Sequence, residues 1–532
     1  MSEGLISRNQ PIRQSTENQS LATLIGLGAL LLIIELYTFG AHRHNRFYSV
    51  LFLLSISGIP YVFAVWWTFQ RKKFPRNTLL VVLIGSALFR LILVPLDPPR
   101  LSTDIYRYIW DGRLQGVGIN PYVYLPVDPR LAGLRDESIY PLINRKEYAH
   151  TIYPPVAQIF FFTVARVTQS VPGFKGALAL VDLVTVGLIA ATLRAFGQPV
   201  ERVIVYAWHP LPIFEFGGSG HIDALMICFV ALALFARAHQ KFGIAGIALG
   251  GATLVKFFPV ILLPAIYRRW DKKLPIAFTI TVVVCYLPYV LGAGAGVLGF
   301  LPQYAKEEGL QSGGRYYLLG LIDYILDWCG VVHDLPPAVF TSIALAGLGA
   351  IAIGAFCRQP PLGSKDSEAQ GQWIFSAFVL ALTFSTLLSS YYPWYYSWLA
   401  IFLCFVPNSA ALALTLMLWP LYRSQGTIHV SIPSKKTGAC HWRCWTHRFA
   451  HRRSVAGARL VGARSRQPRS ANSPGWQATL VGSSYPERSR IRGGRHSGSR
   501  SCGVGAGWHR SGVSRSSLRR LYARNRKVRG GK

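Results

Sequence analysis

Apolar residues run through the first four fifths of the chain in long blocks separated by short polar loops. Twelve blocks can be marked: 21–39, 50–69, 79–96, 152–167, 178–193, 203–216, 224–238, 242–267, 274–291, 338–356, 375–388 and 396–421. A bilayer core about 30 Å thick takes about 20 apolar residues as a helix, and most of these blocks approach that length. The pattern predicts an all-α, polytopic transmembrane bundle of about 10–13 spans, in which the first long loop, after the third block, carries interfacial helices. The domain reading is residues 1–20 as a cytoplasmic segment, 21–423 as the membrane body and 424–532 as a tail. The first block starts some twenty residues in and lacks a small-residue cleavage site, so it is read as a retained helix rather than a signal peptide.

Basic residues orient the body. Arg71, Lys72, Lys73 and Arg76 form the densest basic loop, and short Lys/Arg-rich loops favour the cytoplasm. The N-terminus is then cytoplasmic, the loop 97–150 lies outside, and the protein is a multi-pass protein of the inner (plasma) membrane. Loops 194–202, 237–241 and 268–273 are also basic and cannot all be cytoplasmic if each block crosses once. The block 152–167 is therefore expected to be re-entrant or half-spanning.

Composition agrees: 51% of residues are hydrophobic and only 15% charged, too few charges to cover a soluble protein of this length. Of eight cysteines, five sit singly in the apolar body, where Cys behaves as a small hydrophobe, so no disulfide framework is expected. The net charge of +33 is carried unevenly: beyond Ser424, 20 Arg and 4 Lys face the single acid Glu487, a surplus of 23. That tail reads as basic and disordered. Its scattered Trp, Cys and His among Arg, Ser and Gly resemble out-of-frame translation of GC-rich DNA more than a selected low-complexity segment, and no nucleic-acid partner is assigned to it.

Several polar residues interrupt the apolar pattern. In the run 101–124, Asp104, Arg107 and Asp111 fall three or four apart and share a helical face with Tyr108 beside them, while Tyr106 and Trp110 lie nearer the other side. The bland alternative is a surface helix with aromatic anchors and an exposed ion pair. His209, Glu215, His221 and Asp223 fall inside or at the ends of apolar blocks, where ionisable groups mark functional cavities. Lys256 either joins them or snorkels to the interface. Tyr153-Pro-Pro155 and the aromatic run 391–396 read as helix starts at headgroup depth.

Taken in order, TDIYRYIWDGR, GINPY, IYPP, AWHPLPIFEFGGSGHIDA, LVKFFP and YYPWYYSW resemble the membrane glycosyltransferases of the GT-C superfamily. The likeness is to the glycosyltransferase 87 type, polyprenyl-phosphomannose-dependent mannosyltransferases and their arabinosyltransferase relatives, from about Leu21 to about Pro420. Two positions depart from that pattern: His209 stands where Asn precedes the proline, and the loop 303–317 lacks the usual Trp and Asn. The resemblance implies transfer of a hexose, mannose by family, from a polyprenyl phosphate to a glycan or lipid hydroxyl on the non-cytoplasmic face, usually with inversion. Such a transfer needs a carboxylate to take the acceptor's proton and a cation to steady the departing phosphate. The resemblance assigns Asp104 as base with Asp111 second, and Arg107, Lys256 and Arg315 to the phosphate. His221 and Asp223 orient sugar or acceptor, and Tyr108, His209 and Glu215 complete the substrate-binding set. The partners are then donor, acceptor and bilayer, with no cofactor and no metal. The rival class is a transporter or flippase-like protein, which would show related halves; no internal repeat is visible.

Overall fold

The computed structural model describes residues 3–422, apart from 45, 99–100, 308–315, 331–334, 360–367 and 391. Every regular element among them is helical. Helices α1 (Glu3–Arg43), α2 (Phe47–Phe69) and α3 (Thr78–Leu91) lead into α4 (Asp104–Gly116), and a long loop then connects to α5 (Pro155–Val167) and α6 (Val171–Ala195). A broken stretch follows, with α7 (Ile204–Ala207), α8 (Pro210–Pro212) and a π-helical turn (Ile213–Ser219). Next come α9 (Asp223–Ala238), α10 (Phe242–Thr253), the single turn α11 (Leu263–Ile266), α12 (Lys273–Ala293), α13 (Leu301–Glu307) and α14 (Tyr317–Trp328). The last are α15 (Pro337–Cys357), α16 (Glu368–Leu387), α17 (Leu399–Leu403) and α18 (Ser409–Leu416). The tail beyond residue 422, with its reading as basic or out-of-frame sequence, lies outside the described residues.

Five segments among the described residues are long and apolar enough to cross a membrane: Asn18–Ala41, Phe47–Phe69, Val171–Ala195, Lys273–Glu307 and Pro337–Cys357. Shorter apolar helices accompany them. The bundle is a membrane bundle by its outer surface. On α12, Ile276, Ile280, Val283, Val284, Leu287 and Leu291 are exposed along one face, Leu291 by 80%. A water-soluble helix does not present such a stripe without a partner; hydrocarbon is the solvent that fits it.

The polar atoms are turned inward instead. Arg90 at the end of α3 donates to Asp182 of α6, to Ser86 Oγ (3.0 Å) and to the Ala207 carbonyl (2.7 Å), and the Tyr206 hydroxyl donates to the same Asp182. All three side chains are fully buried, so Asp182 ties α3, α6 and α7 into one unit.

Block 203–216 does not form a straight crossing helix. Pro210 and Pro212 lack the amide donors a continuous helix needs, and the chain breaks into α7, α8 and the π turn, closing on Gly220 at φ 78°, ψ 43°. Every residue from 203 to 224 is buried, the condition under which irregular backbone is tolerated in an apolar surrounding. The block 152–167 yields α5, which at 13 residues is about 20 Å long, short of a full crossing.

Helix α4 is no surface helix. Its Ile105, Arg107, Tyr108, Ile109, Trp110, Asp111 and Leu114 are all buried, and Gly112 lies so close to α5 that a Cβ there would sit 2.3 Å from the Phe161 carbonyl oxygen. The loop after α4 packs back over it. Trp110 and Leu114 form a small core with Leu131 and Ile143, and Arg113 holds Asp136 at 2.6 Å and the Leu134 carbonyl at 2.9 Å.

Candidate active site

A cavity of about 960 Å³ opens where α4, the long loop, the break after α10, α13 and the aromatic run before α17 converge. Each wall has a local cause. Pro154 and Pro155 start α5, whose first amides, Val156 and Ala157, donate to the Leu254 carbonyl at 3.0 and 3.3 Å. That places the end of α10, and Lys256 beyond it, against the head of α5. At Gly299, φ 55°, a Cβ would come within 1.9 Å of the Thr151 carbonyl oxygen, so the chain can approach this closely only with glycine. Phe300 and α13 are thereby laid along the cavity rim.

Asp104 is the first residue of α4 and lines the cavity, half-buried. Its Oδ1 accepts from Asn144 Nδ2 at 2.8 Å, and the helix N-terminus favours its negative charge. One turn on, Arg107 also lines the cavity, with its Nε donating to Asp111 Oδ1 (2.9 Å) and Nη1 to the Ala149 carbonyl (3.1 Å). Asp111 stands behind it, fully buried; its second oxygen accepts from Gln158 Nε2 at 3.0 Å, and it is not part of the lining. Tyr108 is likewise behind the wall, stacked on Phe161 at 4.6 Å and accepting from the Ile222 amide at 3.4 Å.

Lys256 lines the cavity from the break after α10. Its Nζ donates to Asp223 Oδ1 at 2.8 Å and lies 4.0 Å from the centroid of the Tyr395 ring; it does not snorkel away. Asp223 is buried beside His221, whose Nδ1 lies 2.9 Å from Glu215 Oε2. The other Glu215 oxygen accepts from the Tyr422 hydroxyl. His209 is elsewhere: its Nδ1 accepts from the Leu211 amide at 3.2 Å, capping α8, and its Nε2 pairs with Thr415 Oγ1 at 2.9 Å. Arg315 lies outside the described residues.

Thus Asp104, Arg107 and Lys256 meet in one cavity, Glu215, His221 and Asp223 cluster behind its Lys256 wall, and Asp111, Tyr108 and His209 hold the surrounding frame. Other residues were not legible as site residues. Asn144, Arg145 and His150 come from the long loop and Tyr304 and Glu307 from α13; nothing local marks them, since Asn144 meets Asp104 across 40 positions. Trp394 and Tyr395 line the cavity, and Trp394 is only 5% exposed, so that part of the aromatic run is wall rather than headgroup anchor. Among the rim groups, burial and the nearby Arg107 hold the His150 imidazole below its ordinary pKa. It therefore adds no charge at neutral pH, and the cations lining the cavity among the described residues are Arg107, Arg145 and Lys256. Arg145 is paired with Glu307 at 2.8 Å.

No curated protein and no solved structure matches the chain. Residues 25–272 do match a family model, described as alpha-(1->6)-mannopyranosyltransferase, N-terminal domain. The matched stretch carries Asp104, Arg107, Glu215, His221, Asp223 and Lys256 together, and over it the chain is similar to this mannosyltransferase family, of the glycosyltransferase 87 type.

Proposed function

We propose that the protein transfers mannose from a polyprenyl-phosphate donor to a hydroxyl of a glycan or lipid acceptor, on the non-cytoplasmic face of the membrane. The observation that carries the reading is the pairing of a half-buried carboxylate, Asp104, with the cations Arg107 and Lys256 in the lining of one cavity. The aromatic and aliphatic residues around them, Phe257, Phe258, Phe300 and Leu301, suit the apolar end of a lipid-linked donor.

In this scheme the acceptor oxygen attacks the anomeric carbon from the side of Asp104 and forms the new C–O bond. The bond from that carbon to the phosphate oxygen breaks, and its electron pair leaves on the phosphate. Asp104 takes the proton of the attacking hydroxyl. Asn144 holds the carboxylate at 2.8 Å, so its orientation is set before substrate arrives. Lys256 and Arg107 sit opposite growing negative charge on the leaving phosphate, where fixed cations contribute most. Asp111 acts through Arg107: buried and paired, it keeps the guanidinium in place. Attack opposite the leaving group inverts the anomeric centre.

The test is transfer by the purified, reconstituted chain from polyprenyl-phosphate mannose to an acceptor mixture. A positioned base contributes about 10²–10⁴-fold, so Asp104→Asn is expected to lose that much turnover at unchanged thermal stability. Full transfer by the variant would remove Asp104 from the mechanism. No transfer by the parent chain from any lipid-linked hexose would remove the reading.

A further inference from the structure

Cations that the transfer scheme leaves unused gather at the other end of the bundle. Arg202 lies 5.1 Å over the Phe69 ring, Phe196 packs on Trp373 at 5.7 Å, and Arg237 reaches that same Trp373 at 5.2 Å. Arg237 and Arg268 also share the Phe242 ring, at 5.3 and 6.0 Å. These contacts bring the basic loops 70–77, 194–202, 237–241 and 267–273 to one face. Helix α10 starts there at Phe242 and ends at Thr253, just before Lys256 of the cavity, so about 18 Å of helix separates face from cavity.

On that face the loop between α11 and α12 has a fixed form. Asp271 is buried, and its two oxygens accept from the Lys273 and Leu274 amides at 3.2 and 2.9 Å. The Tyr267 hydroxyl accepts from the Trp270 amide at 3.1 Å, while its ring stacks on Phe356 of α15. With its one acid turned inward, the loop leaves Arg269, Lys272 and Lys273 exposed. Trp270 stands among them, 73% exposed and with φ at 69°. A bulky residue in the left-handed region is an outlier, and such strain is concentrated where function uses it. Here it turns a large aromatic ring outward beside three cations. One turn on, Ile276 and Ile280 begin the exposed apolar stripe of α12, so these cations stand where hydrocarbon gives way to headgroups. Trp is enriched at that depth, and Lys and Arg there attract anionic lipid.

We infer that the loop 267–273 is a docking site for an anionic phospholipid in the leaflet away from the cavity, with Arg269, Lys272 and Lys273 on the headgroup phosphate and Trp270 at the level of the glycerol. Orientation by positive charge alone would need neither an outward Trp nor a fixed loop. An acidic protein or a nucleic acid would match the charge but not the adjoining apolar stripe, which phospholipid acyl chains cover. The site does not depend on which reaction the cavity performs.

The experiment uses the full chain in phosphatidylcholine nanodiscs carrying increasing mole fractions of a photoreactive phosphatidylglycerol. Labelled peptides are mapped by mass spectrometry, which separates this loop from the basic tail. Saturable labelling of residues 267–280 is expected, and a photoreactive phosphatidylcholine should label them no more than the rest of the lipid-facing surface. One cation near an anionic surface contributes about 1 kcal/mol, so Lys272→Gln should raise the half-saturating mole fraction about fivefold. Lys72→Gln, the matching change in loop 70–77, should leave it unchanged. The triple variant Arg269→Gln, Lys272→Gln, Lys273→Gln should lose saturable labelling. Trp270→Gly suits the left-handed backbone; it should weaken labelling while the thermal midpoint in lipid-free detergent stays at or above the parent's. A lower midpoint with undiminished labelling would make the ring a structural residue and overturn its part in the site. Equal labelling by the two lipids overturns the inference, as does undiminished labelling of the triple variant or an equal effect of Lys72→Gln, which would mean diffuse charge. Displacement of the lipid by polyglutamate or by RNA also overturns it, by assigning the surface to a macromolecule.

Discussion

The side chains of α4 show how far helical spacing alone carries. Asp104, Arg107 and Asp111 share a face, as their three- and four-residue separations require, but the face is divided by depth. Asp104 reaches the cavity, whereas Asp111 is fully buried and pairs with Arg107. Spacing cannot tell these carboxylates apart, because what covers Asp111 is Gln158 from α5, 47 positions away. The same is true of Asn144, whose amide orients Asp104. A hydrogen bond to a charged group contributes about 1.5–3 kcal/mol. Replacing Asn144 with Leu is therefore expected to lower kcat by roughly ten- to a hundredfold, with donor KM nearly unchanged, in steady-state transfer assays run beside thermal unfolding. An unaltered kcat would mean that the carboxylate needs no orienting partner.

Elements were legible where their causes are local. The long helices α2, α6, α12 and α15, each of 21 residues or more, follow from predominantly apolar runs. The broken stretch from α7 to the π turn does not, since a window of apolar residues looks the same whether or not its backbone is continuous. Its prolines were visible, but the partner that makes the break tolerable was not: Arg90 reaches across from α3 to donate to the Ala207 carbonyl. Asp182 keeps that guanidinium neutralised in a fully buried setting. Removing one partner of a buried pair costs about 3–5 kcal/mol. Asp182→Ala is expected to lower the thermal midpoint in detergent clearly, and to reduce transfer through loss of folded protein rather than through KM. A variant as stable as the parent would show that the break is held by packing alone.

At the scale of the molecule, the cavity draws on the head of α4, the long loop, the end of α10, the α13 rim and the aromatic run before α17. Those parts span residues 101 to 395, so the site exists only once the bundle has closed. Tyr422, near the end of the described residues, still belongs to it through Glu215, which sets a boundary for truncation. A chain ending after Ser424 is expected to keep the parent's thermal midpoint and turnover. One ending at Pro420 should lose stability, because the buried Glu215 oxygen would lose its donor. Comparing both truncations with the full chain checks this, and loss of activity in the longer one would assign the basic tail a role. The sequence by itself determined the membrane class and the apolar helices, because hydrophobic length is a local property that water and lipid read directly. It also marked Glu215, His221, Asp223 and Lys256, because ionisable residues in apolar surroundings are costly wherever they end up, and Asp104 and Arg107 by their shared helical face and the family resemblance. Tertiary structure alone decided which of them share a cavity, which stand behind its wall and which partners orient them. Several of those outcomes depend on contacts between residues 33 to more than 200 positions apart, which no short window of sequence contains.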